Sequence, residues 1–143
     1  MSDVNKQLSR RFTELFTTGD PDRADEVLSR DVVFHGPTGI GDLRGLAEMK
    51  RLVAAYHAAF PDARSTVEDQ VAEGRKVVTR WRARGTHRGD FAGVAPTGRE
   101  IDMQGITIEQ IEDGKITEVW VARDDLGLLR QLGALPEAGT AES

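Results

Sequence analysis

The sequence predicts one α+β domain in which a curved antiparallel sheet wraps around N-terminal helices, forming a cone with one open end. Two observations support this fold class. Apolar residues recur at helical spacing up to Phe60, and after Pro61 the pattern changes to β-branched runs separated by short turns. The length of 143 residues suits a single domain, which we place at 1–135, followed by a flexible tail at 136–143.

Three helices and one strand are predicted before Pro61. An apolar stripe from Val4 to Phe16 defines the first helix, which ends at a break around Gly19. Residues 24–28 form a short second helix that leads into a strand at 31–35. A third apolar stripe runs from 46 to 60 and stops at the proline, because proline cannot continue a helix.

The rest of the domain is predicted to be sheet with a closing helix at 126–132. Two tight hairpin turns contain glycine and are centred on Gly74 and on Asp113-Gly114. The strands around them are expected at about Arg64–Glu73, Lys76–His87, Arg99–Ile111 and Lys115–Asp124.

Composition excludes several kinds of site. The chain has no cysteine, so it forms no disulfide, thiolate nucleophile or cysteine-ligated zinc site. With three histidines and no H-E-x-x-H motif, we expect no metal site. The net charge is -5 and the arginines are dispersed, which argues against nucleic-acid binding. Because no signal-like or membrane-length apolar run occurs, we expect a cytoplasmic protein without membrane contact.

Asp124 is the first candidate for chemistry. In a regular strand, residues of equal parity share a face, so Trp120, Ala122 and Asp124 are expected on one apolar wall. A desolvated carboxylate there would act as a general acid and base. The alternative is that Asp124 or Asp125 caps the following helix. Two consecutive aspartates allow both roles, with Asp125 nearer the helix and Asp124 on the cavity side.

A cavity wall is also predicted on the strand of Trp81. One face carries Trp81, Ala83, Gly85 and His87, and the other carries Arg80, Arg82 and Arg84, which suits solvent or a partner subunit. His35 and His87 both end strands and are expected to converge on Asp124 as acid/base or orienting groups. The alternative for each histidine is a satisfied or solvent-facing side chain. The apolar walls that would bind substrate are Phe34, Tyr56, Trp81, Met103 and Trp120.

Several motifs together resemble the SnoaL-like polyketide cyclases, members of the nuclear transport factor two-like, or cystatin-like, α+β cone superfamily. The resemblance spans nearly the whole chain and is most specific at the C-terminal end. The motifs are Gly85-Thr86-His87 with Gly89 and Gly93, Pro96-Thr97-Gly98-Arg99, Asp113-Gly114-Lys115-Ile116 with Glu118 and Trp120, and Asp124-x-x-Gly127-Leu128-Leu129-Arg130-Gln131-Leu132-Gly133.

The resemblance implies ring closure of a polyketide by intramolecular aldol condensation without metal or cofactor. An aspartate at the position of Asp124 is the implied acid/base. Val119 departs from the family pattern, which commonly has histidine there. Family members generally pair through the outer sheet face, so a homodimer or homotetramer is implied, with Glu109 or Glu118 available to meet the arginines.

The leading interpretation is therefore a cofactor-independent enzyme in which Asp124 moves a proton on an apolar, polyketide-like carbonyl substrate. Because the same fold hosts hydroxylases, isomerases and other enzymes, the fold alone does not fix the reaction. The alternative is a non-catalytic module that binds a small apolar molecule in the same cavity. A third interpretation is an interaction domain that uses the arginine face.

Overall fold

A curved sheet of six strands and four helices form the part of the chain that the computed structural model describes, residues 2–37 and 40–135. The helices are α1 (Ser2–Thr18), α2 (Pro21–Val27), α3 (Leu46–Ala59) and α4 (Asp125–Gln131). The strands are β1 (Leu28–His35), β2 (Asp42–Arg44), β3 (Arg64–Glu73), β4 (Lys76–Thr86), β5 (Glu100–Glu112) and β6 (Lys115–Arg123).

The strands follow the order β2-β1-β6-β5-β4-β3, and all neighbours are antiparallel except β1 and β6. The predicted α+β class is confirmed, and the four long strands lie within one residue of their predicted bounds. The short strand β2 was not predicted, since three residues carry no alternation to detect. The tail predicted at 136–143 lies outside the described residues.

The helices cover one face of the sheet, which we call the inner face. Buried Leu8, Phe12 and Leu15 give α1 an apolar side that packs against the strands. Asp20 caps α2 by accepting a hydrogen bond from the Asp22 N–H at 2.9 Å. The helix α3 contributes Met49 and other buried side chains to the same core.

A β-bulge in β6 resets which side chains face inward. Gln110 of β5 pairs with Glu118, but the next residue of β5, Ile111, pairs with Ile116, so Thr117 is an extra residue in β6. Ile116 and Val119 are consequently both buried on the inner face, although their parity differs. The uninterrupted alternation predicted for this strand is therefore wrong. Trp120, with the even-numbered residues after it, faces outward.

Gly105 on β5 allows the indole of Trp81 to lie close to the sheet. A Cβ atom at Gly105 would fall 2.4 Å from Cζ2 of Trp81. No side chain larger than hydrogen fits there without moving the ring. Glycine at this position therefore sets the depth of the Trp81 ring within the inner face.

We predict that Gly105→Ala displaces the Trp81 ring and lowers the free energy of unfolding by about 1–3 kcal/mol, as overpacking in a core does. Urea denaturation followed by tryptophan fluorescence measures the loss. The neighbouring Gln104→Ala changes an exposed side chain and should stay within about 0.5 kcal/mol of the parent. An unchanged unfolding midpoint for Gly105→Ala would contradict the placement of Trp81.

Candidate functional site

A cavity lies between the inner face of the sheet and helices α1 and α3. It holds about 560 Å³ of empty space, a figure that includes the solvent at its mouth. Its walls are mostly aromatic or aliphatic and comprise Phe12, Thr13, Phe16, Phe34, Pro37, Tyr56, Ser65, Trp81, Ala83, Met103, Thr107, Val121 and Arg123. A flat apolar molecule suits such walls.

The Arg123 side chain gives the cavity a polar end. Its side chain is only 6% exposed, and Nε donates a hydrogen bond to Oδ1 of Asp125 at 2.6 Å. Nη1 donates to the phenol oxygen of Tyr56. The guanidinium also lies over two rings, 5.5 Å from the centre of Tyr56 and 5.4 Å from that of Phe91. The buried cation is thus paired with a carboxylate and fixed in orientation.

Tyr56 keeps its proton in this setting. Burial raises the pKa of the phenol, and Asp125 raises it further, while the charge and the hydrogen bond of Arg123 lower it. Since Arg123 donates to the phenol oxygen, the Tyr56 O–H remains free to donate to a different acceptor. The polar end therefore offers N–H and O–H donors beside an apolar cavity.

The indole N–H of Trp81 is satisfied within the cavity wall. Nε1 donates to Oγ1 of Thr107 at 2.7 Å, and both residues line the cavity. A buried indole that already has its acceptor presents only its apolar face to a ligand. Trp81 therefore contributes a flat wall.

Comparison with known proteins matches residues 6–132 to the model of the SnoaL-like polyketide cyclase family. The chain belongs to the SnoaL-like polyketide cyclases. Aklanonic acid methyl ester cyclase DnrD of Streptomyces peucetius is 31% identical over 132 residues, which are 88% of each chain. The DauD enzyme of the same name from Streptomyces strain C5 is also 31% identical, over 88% of this chain and 80% of its own. TsrD of Streptomyces laurentii superimposes with a TM-score of 0.85 at 32% identity, covering 94% of this chain and 98% of TsrD.

In this SnoaL-like chain, the predicted cavity residues divide into two groups. Phe34, Tyr56, Trp81 and Met103 line the cavity. The expectation that the remaining four lie on the same cavity is wrong: the structure places Asp124, His35, His87 and Trp120 elsewhere. Their roles in substrate binding and catalysis have no support from the cavity geometry.

The two consecutive aspartates have exchanged their predicted positions. Asp124 is exposed and caps α4, because its Oδ1 accepts a hydrogen bond from the Gly127 N–H at 2.8 Å. Asp125, predicted as the residue nearer the helix, pairs instead with Arg123, and Arg123 lines the cavity. The bulge at Thr117 is the physical reason, since it turns odd-numbered residues of the second half of β6 inward.

His35 lies on the outer face with Trp120, on the other side of β1 from Phe34. The His35 and Trp120 rings are stacked with their centres 5.5 Å apart. Nε2 of His35 lies 2.6 Å from Oε2 of Glu118, and Nδ1 lies 3.1 Å from Oδ1 of Asp42. The hydrogen bond to Glu118 raises the pKa of His35 most, burial opposes it, and Asp42 raises it further. This histidine ties β2 to β6 across β1.

His87 is buried at the base of the loop that joins β4 to β5. Its Nδ1 accepts hydrogen bonds from the hydroxyl and the backbone N–H of Thr97, at 3.0 and 3.2 Å. The ring packs against Phe60, with the centres 5.7 Å apart. His87 thus anchors this loop, which also brings Phe91 onto Tyr56 and Arg123.

Sequence reasoning missed Arg123 and misplaced Glu109. Arg123 precedes the two aspartates at a strand end, and only the bulge makes it face inward. Glu109, expected against the outer arginines, is fully buried on the inner face.

Within residues 2–37 and 40–135, no group of three histidine or acidic side chains is arranged to hold a metal ion, and no helix is long and apolar enough to span a membrane.

We predict that the contribution of His35 to stability depends on pH. Because the folded state raises the pKa of His35, its stabilisation is fully present below about pH 6.5 and is lost as the pH rises through the raised value. The difference in unfolding free energy between the parent and His35→Gln should be on the order of 0.5–1 kcal/mol near pH 5.5 and smaller near pH 9.

Chemical denaturation at both pH values measures this difference. Glu118→Gln removes the carboxylate whose hydrogen bond raises the pKa of His35 most. The contribution of His35 to stability should therefore depend less on pH in this variant. A His35 contribution that grows with pH would contradict the ion-pair assignment.

Proposed function

We propose that this chain is a cofactor-independent polyketide cyclase that closes a ring by intramolecular aldol condensation in the cavity. The observation that carries the proposal is an apolar cavity lined at one end by Arg123 and Tyr56, with Asp125 hydrogen-bonded to Arg123. Two relatives named as cyclases of aklanonic acid methyl ester, each 31% identical, support a related carbonyl substrate.

The proposed reaction requires only the movement of protons and electron pairs. A carboxylate takes a proton from the carbon next to a substrate carbonyl, and the C–H electron pair forms an enolate. The enolate carbon then bonds to a second carbonyl carbon of the same substrate, and the π electrons of that group move to its oxygen. This alkoxide receives the proton from the carboxylic acid, so no atom is gained or lost.

The polar end of the cavity suits stabilisation of the enolate. Negative charge develops on the first carbonyl oxygen, where Arg123 N–H and Tyr56 O–H donors would both strengthen their hydrogen bonds. The charge of Arg123 is balanced by Asp125 before the substrate arrives. The aromatic walls would hold the substrate flat and exclude water from the enolate.

Asp125 is our candidate for the proton-transferring carboxylate: it is not itself among the residues that line the cavity, but its Oδ1 accepts a hydrogen bond from Arg123, which is. The resemblance to the family instead implies Asp124, whose carboxylate caps α4. Experiment can distinguish the roles of Asp124 and Asp125, because the same conservative change, aspartate to asparagine, can be made at each position. Each variant serves as the matched control of the other.

We predict that Asp125→Asn lowers kcat at least about tenfold, a barrier increase of about 1.4 kcal/mol, because it removes the base. Asp124→Asn should retain kcat and cost about 1 kcal/mol of stability or less, as expected of a weakened cap. Initial rates with aklanonic acid methyl ester, followed by chromatography of the cyclised product, measure the first effect, and thermal unfolding measures the second.

The opposite ranking of the two variants would return the acid/base role to Asp124. Full turnover in both variants would contradict carboxylate catalysis at this site. Tight binding of the ester without any cyclisation by the parent protein would favour the alternative function, a non-catalytic binding module.

We also predict that Tyr56→Phe lowers kcat about 10-fold to 100-fold with little change in KM, because the lost O–H donor matters most when charge develops. The measurement is the rate at which the substrate exchanges its α-proton for deuterium in heavy water, together with the cyclisation rate. Phenylalanine preserves the ring that packs against Phe16 and Phe91. Equal exchange rates in parent and variant would contradict the role of Tyr56.

A further inference from the structure

Glu109 is a buried acid that the proposed reaction does not use. It lies on the inner face of β5 and is fully buried. Neither carboxyl oxygen has a hydrogen-bond partner among the described residues. Such a group costs stability where an apolar side chain would not, so its presence calls for a physical explanation.

The surroundings of Glu109 are apolar except toward α1. Its register partners are Val77 on β4 and Val119 on β6, both fully buried. The Ser9 hydroxyl on α1 is the polar group that acts on the Glu109 carboxyl. The Oγ atom of Ser9 also lies 2.6 Å from Oγ1 of Thr79, at hydrogen-bond distance. Among the described residues, no charged side chain contributes to the titration of Glu109: burial raises its pKa to about 8, and Ser9 opposes the rise.

Ionisation of Glu109 would put an unpaired charge between the sheet and α1. The strands on either side are fixed by their ladders of hydrogen bonds, whereas α1 contacts this part of the sheet through side chains. The helix is therefore the element that can move to admit water. Ser9 is one helical turn from Phe12 and Thr13, which line the cavity.

We propose that Glu109 couples protonation to the shape of the cavity: α1 packs against the sheet while the carboxyl is neutral, and ionisation of the carboxyl loosens α1 and opens the cavity wall formed by Phe12 and Thr13. The proposal rests on the proposed function only in taking this cavity as the ligand site. It makes Glu109 a positioning residue that acts through α1.

The direction of the pH dependence follows from the raised pKa. An unfolded chain has an ordinary glutamate, so folding keeps an extra proton on Glu109 above about pH 4.5. Stability relative to a permanently neutral residue therefore falls as the pH rises toward about 8, where Glu109 begins to ionise in the folded state. Above that point, α1 should loosen.

Amide hydrogen exchange of the full chain near pH 7 and near pH 9, corrected for intrinsic exchange rates, tests the proposal. In the parent, the protection of α1 amides should fall about tenfold or more relative to α3 amides, since each pH unit above the pKa shifts the protonation ratio tenfold. Glu109→Gln, which cannot ionise, should show less than about a twofold change. Glu109→Leu gives the same test should the buried amide of glutamine prevent folding.

Glu112→Gln is the matched control, because Glu112 ends the same strand and is exposed beside Arg75. It should behave as the parent does. Equal loss of α1 protection in the parent, Glu109→Gln and Glu109→Leu would overturn the proposal, as would a loss spread equally over α1 and α3.

Binding of 2-acetylnaphthalene, a flat neutral ketone that does not titrate in this range, separates this proposal from the proposed function. We expect its affinity to fall about threefold or more between pH 7 and pH 9 in the parent and to stay constant in Glu109→Gln. A pH-independent affinity in the parent would contradict the coupling. Failure to bind at either pH would count against the cavity as the ligand site, while the exchange measurement would still decide whether Glu109 controls α1.

Discussion

The extra residue at Thr117 in β6 determines which side chains of that strand face the cavity. Before the bulge Ile116 points inward, and after it Val119, Val121 and Arg123 do so. A regular strand would have exposed Arg123 to solvent and buried the indole of Trp120. The polar end of the cavity, the capping of α4 and the outer stacking of Trp120 on His35 all depend on this single irregularity.

Arg123 combines burial with two fixed partners, and this combination gives the cavity a fixed polar end. A buried guanidinium without a carboxylate would be strongly unfavourable, and the ion pair with Asp125 offsets part of that cost. Tyr56 and Phe91 cover the guanidinium with their rings and fix its orientation. Donors held in place before the substrate arrives need no reorganisation when negative charge develops, which is how a proton-transfer enzyme gains most from its polar groups.

Local patterns in the sequence predicted the helices, the hairpin turns and the inward face of β4, because alternation and turn residues are short-range signals. The bulge in β6 is a tertiary feature that is set by pairing with β5. A prediction that assumes regular alternation through the bulge places Asp124 on the cavity side and Asp125 at the helix. The structure shows the reverse, because Asp124 caps α4 and Asp125 pairs with Arg123. Glu109 shows a second limit. Acidic residues are almost always exposed, and nothing local marks this one as buried.

A crystal structure of the complex with 2-acetylnaphthalene would locate a neutral aromatic ketone relative to the polar end of the cavity. We expect the naphthalene ring between α1 and Trp81, with the carbonyl oxygen about 3 Å from a donor of Arg123 or Tyr56. A ring bound instead on the outer face, beside His35 and Trp120, or a carbonyl turned away from both donors, would contradict this expectation.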